Sequence, residues 1–249
     1  KFVQFVAINC ATLMSTKHHL HYLIRRTHRY LGVFIGIQFL LWTLGGLYFS
    51  WSDMDYIHGD YQRKSQPMLQ VQDSLASPNA VLNNLAAKHP VDQIASIQLI
   101  DVLGKPCYRV EIVHGMHHKM FFLADAASGQ LRPALSKAEA VEMAKQQFNG
   151  KPNVTQVQYL SATGSHHEYR ESPLPAYAIR FDHPSRTTVY VATEMAMVTK
   201  FRNEKWRIFD FLWMLHTMDY QSRDNLGNVL LRVFSILGLC TIASGFLLF

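Results

Sequence analysis

From Tyr30 to Ser52 the chain carries no charged residue: YLGVFIGIQFLLWTLGGLYFSWS. At about 1.5 Å per residue, a helix over this run crosses a hydrocarbon layer of roughly 30 Å. Tyr48, Phe49 and Trp51 stand at its far end, where an interfacial aromatic belt belongs. Lys1, Lys17, Arg25, Arg26 and Arg29 precede it with no acidic residue among them, and Asp53 and Asp55 follow it. The positive-inside rule therefore places the N-terminus in the cytoplasm and residue 53 outside. A net charge of +6 first suggests nucleic acid, yet five of the 24 basic side chains form this one flank. The rest of the chain is nearly neutral, so the charge is an orientation signal and no nucleic-acid partner is expected.

A second span is expected over 229–249, with Val233–Phe249 free of charge behind Arg232. It ends flush with the chain, which suggests that the natural protein continues past Phe249. Met14-Ser15-Thr16-Lys17 reads as a translation start, which would make residues 1–13 an upstream extension. Between the spans lie about 150 residues of ordinary soluble composition. Cys107 is the one cysteine there, so this part forms no internal disulfide, and none of Cys10, Cys107 and Cys240 looks like a redox pair.

The central part reads as a tandem over 53–202, with units at about 75–132 and 133–202. Helix signals cover Pro78–Lys88 and Ser136–Phe148, the second opening on a Ser136/Glu139 capping box. Strand-like runs follow each helix: 94–101, 107–113 and 119–125 after the first, then 154–161, 176–182 and 187–193 after the second. Tyr108–His114 aligns with Tyr177–His183, and the loop Thr163–Pro175 absorbs the difference in spacing. The fold expected is a membrane-anchored α+β protein, with two transmembrane helices (30–52 and 229–249) flanking two helix-plus-antiparallel-sheet units. Residues 1–29 form the cytoplasmic basic segment, and 203–220 an amphipathic helix at the outer interface.

Thirteen histidines limit the chemistry. His28, Gly32 and Gly36 recur one turn apart, which suits either an imidazole beside a flat haem or a helix-packing face. Trp206, Phe209, Trp213, His216 and Tyr220 form one stripe on the interfacial helix. His18, His19 and His21 sit among cations, where His21 could add a ligand or the group could contact anionic lipid. His114, His117 and His118 on a hairpin turn, and His166-His167 in the inserted loop, could take zinc or copper, or be polar turns. No carboxylate or cysteine is spaced with these clusters. No GxGxxG, Walker, HExxH, CxxC or GxSxG pattern occurs, so no catalytic residue is assigned and catalysis by this chain alone is not expected.

The segment FFLADAASGQLRPALSKAEAVEMA resembles the PepSY domain pattern of strand, D-x-x-x-G turn and helix. RRTHRYLGVFIGIQFLLWTLGGLYF resembles the first helix of PepSY-associated transmembrane proteins, as does NEKWRIFDFLWMLHTMDY followed by FSILGLCTIASG their later region. The likeness runs from about Arg25 to the end. Thr193–Met197 departs from the D-x-x-x-G turn in the second unit, and relatives carry further helices. The resemblance implies a periplasmic PepSY tandem and a membrane redox role, since relatives that reduce siderophore iron bind haem through membrane histidines. His28 and His216 stand in the matching regions and are the candidate haem b ligands. By this topology they lie on opposite membrane sides, too far apart for one iron, so further ligands must come from other helices or another subunit. The other reading is a non-enzymatic accessory or assembly subunit, bound to the bilayer and to membrane partners or itself through Gly32, Gly36, Gly238 and Gly245. The PepSY name also implies protease inhibition as a third reading.

Overall fold

The computed structural model describes residues 2–65, 69, 74–115 and 118–249, with backbone alone at 2–18, 20 and 118. Contacts divide the chain into two compact units, Lys1–Ser52 with Phe209–Phe249, and Asp53–Ile208. The protein is α+β, with two four-stranded antiparallel sheets and two long apolar helices.

In the helical unit, α1 runs Phe2–Trp51 and α6 runs Val229–Leu248. Their apolar stretches, His21–Trp51 and Val229–Leu248, are long and apolar enough to cross a membrane. In the most apolar 18 residues of each, only 17% and 6% are buried, unlike the core helix of a soluble domain. Val33, Ile37, Leu40 and Leu44 are all exposed, whereas Ile35 and Gln38 are buried. The two helices pack antiparallel: Phe34 meets Phe234 at 5.3 Å between ring centroids, and His28 meets Ser244. Gly238 admits the Phe39 ring so closely that a Cβ there would stand 3.1 Å from it.

The α+β unit opens with α2 (Met54–His58), capped by Asp53, and a 3-10 turn over Asp60–Gln62. Helix α3 (Pro78–Ala86) starts at the Ser77 cap and precedes β1 (Gln93–Val102), β2 (Lys105–His114), β3 (His118–Asp125) and β4 (Leu131–Arg132). The plan then repeats with α4 (Lys137–Gln147), β5 (Val154–Leu160), β6 (Ala176–Phe181), β7 (Thr188–Ala192) and β8 (Met197–Arg202). Each sheet is a meander in chain order. The Ser136/Glu139 capping box forms as its sequence implies.

Period-2 burial on the strands and the 3.6-residue spacing of the helices build the core. Val81 and Leu85 of α3 pack on Tyr108, Val110, Ile112 and Ala124 of the first sheet. Ala140, Met143 and Ala144 of α4, with Phe148 just after it, pack on Ile179, Val189, Val191 and Val198 of the second. Val102, Cys107 and Leu123 of the first sheet join that same cluster, so α4 serves both repeats. A fourth strand in each repeat, β4 and β8, is absent from the sequence reading. At two residues β4 is too short to show an alternating pattern, and β8 follows a turn without the mark that the turn before β4 carries. Asp125 Oδ1 accepts from the Ala127 and Ser128 amides and the Ser128 hydroxyl, and Gly129 closes the turn at φ +72. In the second repeat Ala196 takes the left-handed conformation (φ +47) with no glycine to announce it.

The Ser128 amide and hydroxyl hold the Asp125 carboxyl below the usual aspartate range, outweighing its desolvation. A lowered folded-state pKa stabilises at pH values above the unfolded pKa, and that stability is lost as pH falls through the folded one. Asp125→Ala should therefore cost about 1 kcal/mol at neutral pH. The difference from wild type should shrink as pH drops below the ordinary aspartate range, which thermal melts in detergent at a series of pH values will read.

Candidate functional site

His28 lies on α1, where its Nδ1 is 2.8 Å from the Ser244 hydroxyl of α6. That contact fixes the ring plane, as an outer-shell hydrogen bond does for a ligating imidazole. The ring lines an apolar hollow of about 530 Å³ with Thr241, Ile242, Gly245, Phe246 and Phe249. A Cβ at Gly245 would stand 3.4 Å from the imidazole, so the glycine lies directly beside the ring. Gly245 and Gly238 are thus used in packing α6 on α1. Gly32 and Gly36 are not: a Cβ on either would meet nothing within 4 Å.

His216 is held differently. Helix α5 (Glu204–Thr217) begins in the α+β unit and ends in the helical one. A helix is expected over 203–220, and from Phe209 onward the side chains of α5 lie against α1. Phe209, Trp213 and His216 all approach Phe49, with ring centroids at 4.8, 6.1 and 5.8 Å, and His216 also meets Trp42 at 6.0 Å. Gln38 Nε2 donates to the Leu215 carbonyl at 3.0 Å. Gln38 is thirteen residues before Trp51, about 20 Å along the helix. Phe209, Trp213 and His216 of the stripe therefore face α1, whereas Trp206 is buried in the α+β unit with Arg202 4.0 Å above its ring and Tyr220 is exposed.

A helix end leaves its last carbonyls without intrahelical donors. Here side chains supply donors to several carbonyls of the last turns. The Thr217 hydroxyl donates to Trp213 O, Gln38 serves Leu215 O, and Asn228 Nδ2 donates to Thr217 O at 2.9 Å. Asn228 Oδ1 also caps α6 by accepting from Leu231 N. Between the two helices, Asp219 accepts from the amides of Gln221, Ser222 and Asn225 and from the Ser222 hydroxyl. Arg223 pairs with Asp210, whose side chain is 5% exposed. So α5, this polar knot and α6 form one interrupted partner to α1, an arrangement tolerated at membrane depth only where the irregular backbone is satisfied by protein.

Three buried side-chain polar atoms lack a hydrogen-bond partner among the described residues: Trp42 Nε1, His216 Nδ1 and Arg223 Nε. All three belong to this junction. His28 and His216 are not brought together, since Trp42 is fourteen residues and about 21 Å along α1 from His28. Gln38, Ser244, Asp210 and Arg223 escaped the sequence reading. Gln38 could have been found, as the one carboxamide in the charge-free run.

The remaining histidines are dispersed. His114 Nδ1 stands 2.6 Å from Asp92 Oδ2, so a carboxylate does accompany that cluster. Antiparallel pairing of Gln93 with Val113 brings it there, a proximity that linear spacing conceals. His117 and the His118 side chain lie outside the described residues, as does that of His18. His19 and His21 are exposed. His167 Nδ1 accepts from Tyr169 N, and His166 is exposed. Among the described residues no three His, Cys, Asp or Glu side chains are grouped to hold a metal ion.

No family model, curated protein or solved structure matches the chain. The likeness to PepSY proteins therefore rests on the sequence motifs alone.

Gln38→Leu should destabilise the helical unit by about 1–3 kcal/mol, because Leu215 O loses its donor in a buried place. Arg223→Met takes one cationic partner from the buried Asp210 carboxylate and should destabilise the helical unit, and Asp210→Leu in the same chain should recover part of that loss. Thermal unfolding of the three variants in detergent will show whether the order holds.

Proposed function

We propose that this chain is a component of a membrane redox system, a PepSY-like protein of the bacterial inner membrane that takes part in haem-dependent electron transfer or iron reduction. In this reading α1 and α6 span the bilayer, the N-terminus is cytoplasmic, and the α+β unit is the periplasmic PepSY-like tandem. The single observation that carries it is the His28 site: an imidazole oriented by a hydroxyl, beside a glycine and an apolar hollow. His216 supports it with an unpartnered Nδ1 among three aromatic rings.

The residues fit haem b as half-sites. His28 and His216 would each hold a haem by one imidazole, at two levels along α1. When bound, haem supplies one-electron chemistry. The chain's own part is to hold His28 through Ser244, to pack His216 against Trp42, Phe49 and Trp213, and to keep water from both rings. The second ligand at each level comes from another copy or a partner subunit in this reading, so the chain by itself is not a complete enzyme.

One observation favours a second reading, a non-enzymatic accessory subunit that docks within the membrane. Gly32 and Gly36 leave an unfilled strip on α1, suited to the close approach of a further helix.

Reduced-minus-oxidised spectra of membranes carrying the full chain with its co-purified partners separate the two. A haem α-band that falls in both His28→Ala and His216→Ala supports the redox reading. No band in any preparation sinks it and leaves the accessory role, which in turn fails if gently solubilised protein migrates as a free monomer.

A further inference from the structure

The second sheet buries one face under α4, through Ile179, Val189 and Val191, and part of its other face stays open. Strand register fixes what stands there. Gln156, Arg180 and Thr188 oppose one another across β5, β6 and β7, and Gln158, Ala178 and Tyr190 form the neighbouring row on the same face. Ala178 puts a single carbon between the longer Gln158 and Tyr190, which makes a hollow. The inserted loop covers the adjoining part of the face, with Tyr169 stacked on Tyr190 at 4.5 Å and 9°. Two cavities of about 430 and 600 Å³ remain, and Gln156, Arg180 and Arg186 line both, so they form one groove.

The walls are pinned. Arg207 donates through Nε and Nη2 to Glu168, through Nη1 to Arg186 O, and through Nη2 to Thr188 Oγ1. The Tyr190 hydroxyl donates to the same Glu168 at 2.5 Å. Glu204 has Arg207 at 3.7 Å and Arg186 at 3.9 Å. The anions beside the hollow are therefore already matched. In contrast, the Arg180 guanidinium and the Gln156 and Gln158 carboxamides make no hydrogen bond or ion pair among the described residues, although they stand in one patch. Asp182 lines the outer cavity past Arg180 and disfavours a ligand with a second negative charge.

A free guanidinium fork flanked by two amide donors matches a carboxylate, which accepts two parallel N–H bonds from arginine and has lone pairs left for the amides. We propose that the groove binds a monocarboxylate, from a small organic acid or from the C-terminus of an extended peptide. Arg180 grips the two oxygens, Gln156 and Gln158 donate from the side, and the hollow over Ala178 seats the adjoining carbon atoms.

Isothermal titration of the full chain in nanodiscs tests this with three probes: butyrate, an N-acetylated tetra-alanine acid and the corresponding amide. Saturable binding of the tetra-alanine acid alone assigns a peptide C-terminus, and binding of butyrate as well assigns a small acid. In either case Arg180→Gln should weaken binding at least tenfold while melting at the wild-type temperature, because Arg180 is exposed and holds nothing. Ala178→Leu should weaken binding as well by filling the hollow, with some loss of stability because Ala178 is packed beside Tyr190. Neither acid binding, the amide binding as well as the acid, or an unchanged affinity in Arg180→Gln would overturn the assignment.

Discussion

Backbone carbonyls at a helix end must find donors, and in the helical unit that requirement organises everything around α5. The helix stops at Thr217 beside the middle of an apolar neighbour, where water could not serve as the donor in a bilayer. Gln38 of α1, Asn228 at the start of α6 and the Thr217 side chain meet the need between them. Each of the three lies on a different segment, so the carbonyls of α5 fix α1, the polar knot and α6 together. The placement of His216 follows, because the ring stands on the last turn of the helix held this way.

A comparable economy governs the α+β unit. Its two repeats have separate sheets, and each sheet has its own helix, yet α4 contributes to a core that includes side chains from both. The 3-10 turn is tied into the second repeat as well, with Gln62 accepting from Thr187 and donating to Ser185. Arg207 then spends its whole donor set on the inserted loop and the second sheet. Such saturation is what leaves the neighbouring Arg180 conspicuous as a cation without a task in folding.

Much of this was legible in the residues themselves. The charge-free run from Tyr30, the capping box at Ser136 and the alternation in the strands point directly to local structure, since each depends on neighbours in sequence. The offset between Tyr108 and Tyr177 revealed the repeat. Features that depend on register or on distant pairing did not show. Asp92 reaches His114 only because β1 and β2 pair as they do, and β8 was hidden because Ala196 makes a turn usually marked by glycine. The stripe from Trp206 to Tyr220 gave the face that the middle residues of α5, Phe209, Trp213 and His216, turn to α1. Amphipathic periodicity says which side is apolar, and a helix along a neighbour satisfies it as well as one lying in an interface.

The interruption between α5 and α6 also bears on how the helical unit is assembled. The apolar stretch of α1 has enough length to enter a bilayer on its own. The end of α5 does not share that independence, since Asp210, Arg223 and an open carbonyl at Leu215 are tolerable in hydrocarbon only beside their partners. The last residues of α5 settle where Gln38 of the first helix supplies a donor to Leu215 O. The amide at position 38 acts as a docking point that a uniformly apolar helix would lack.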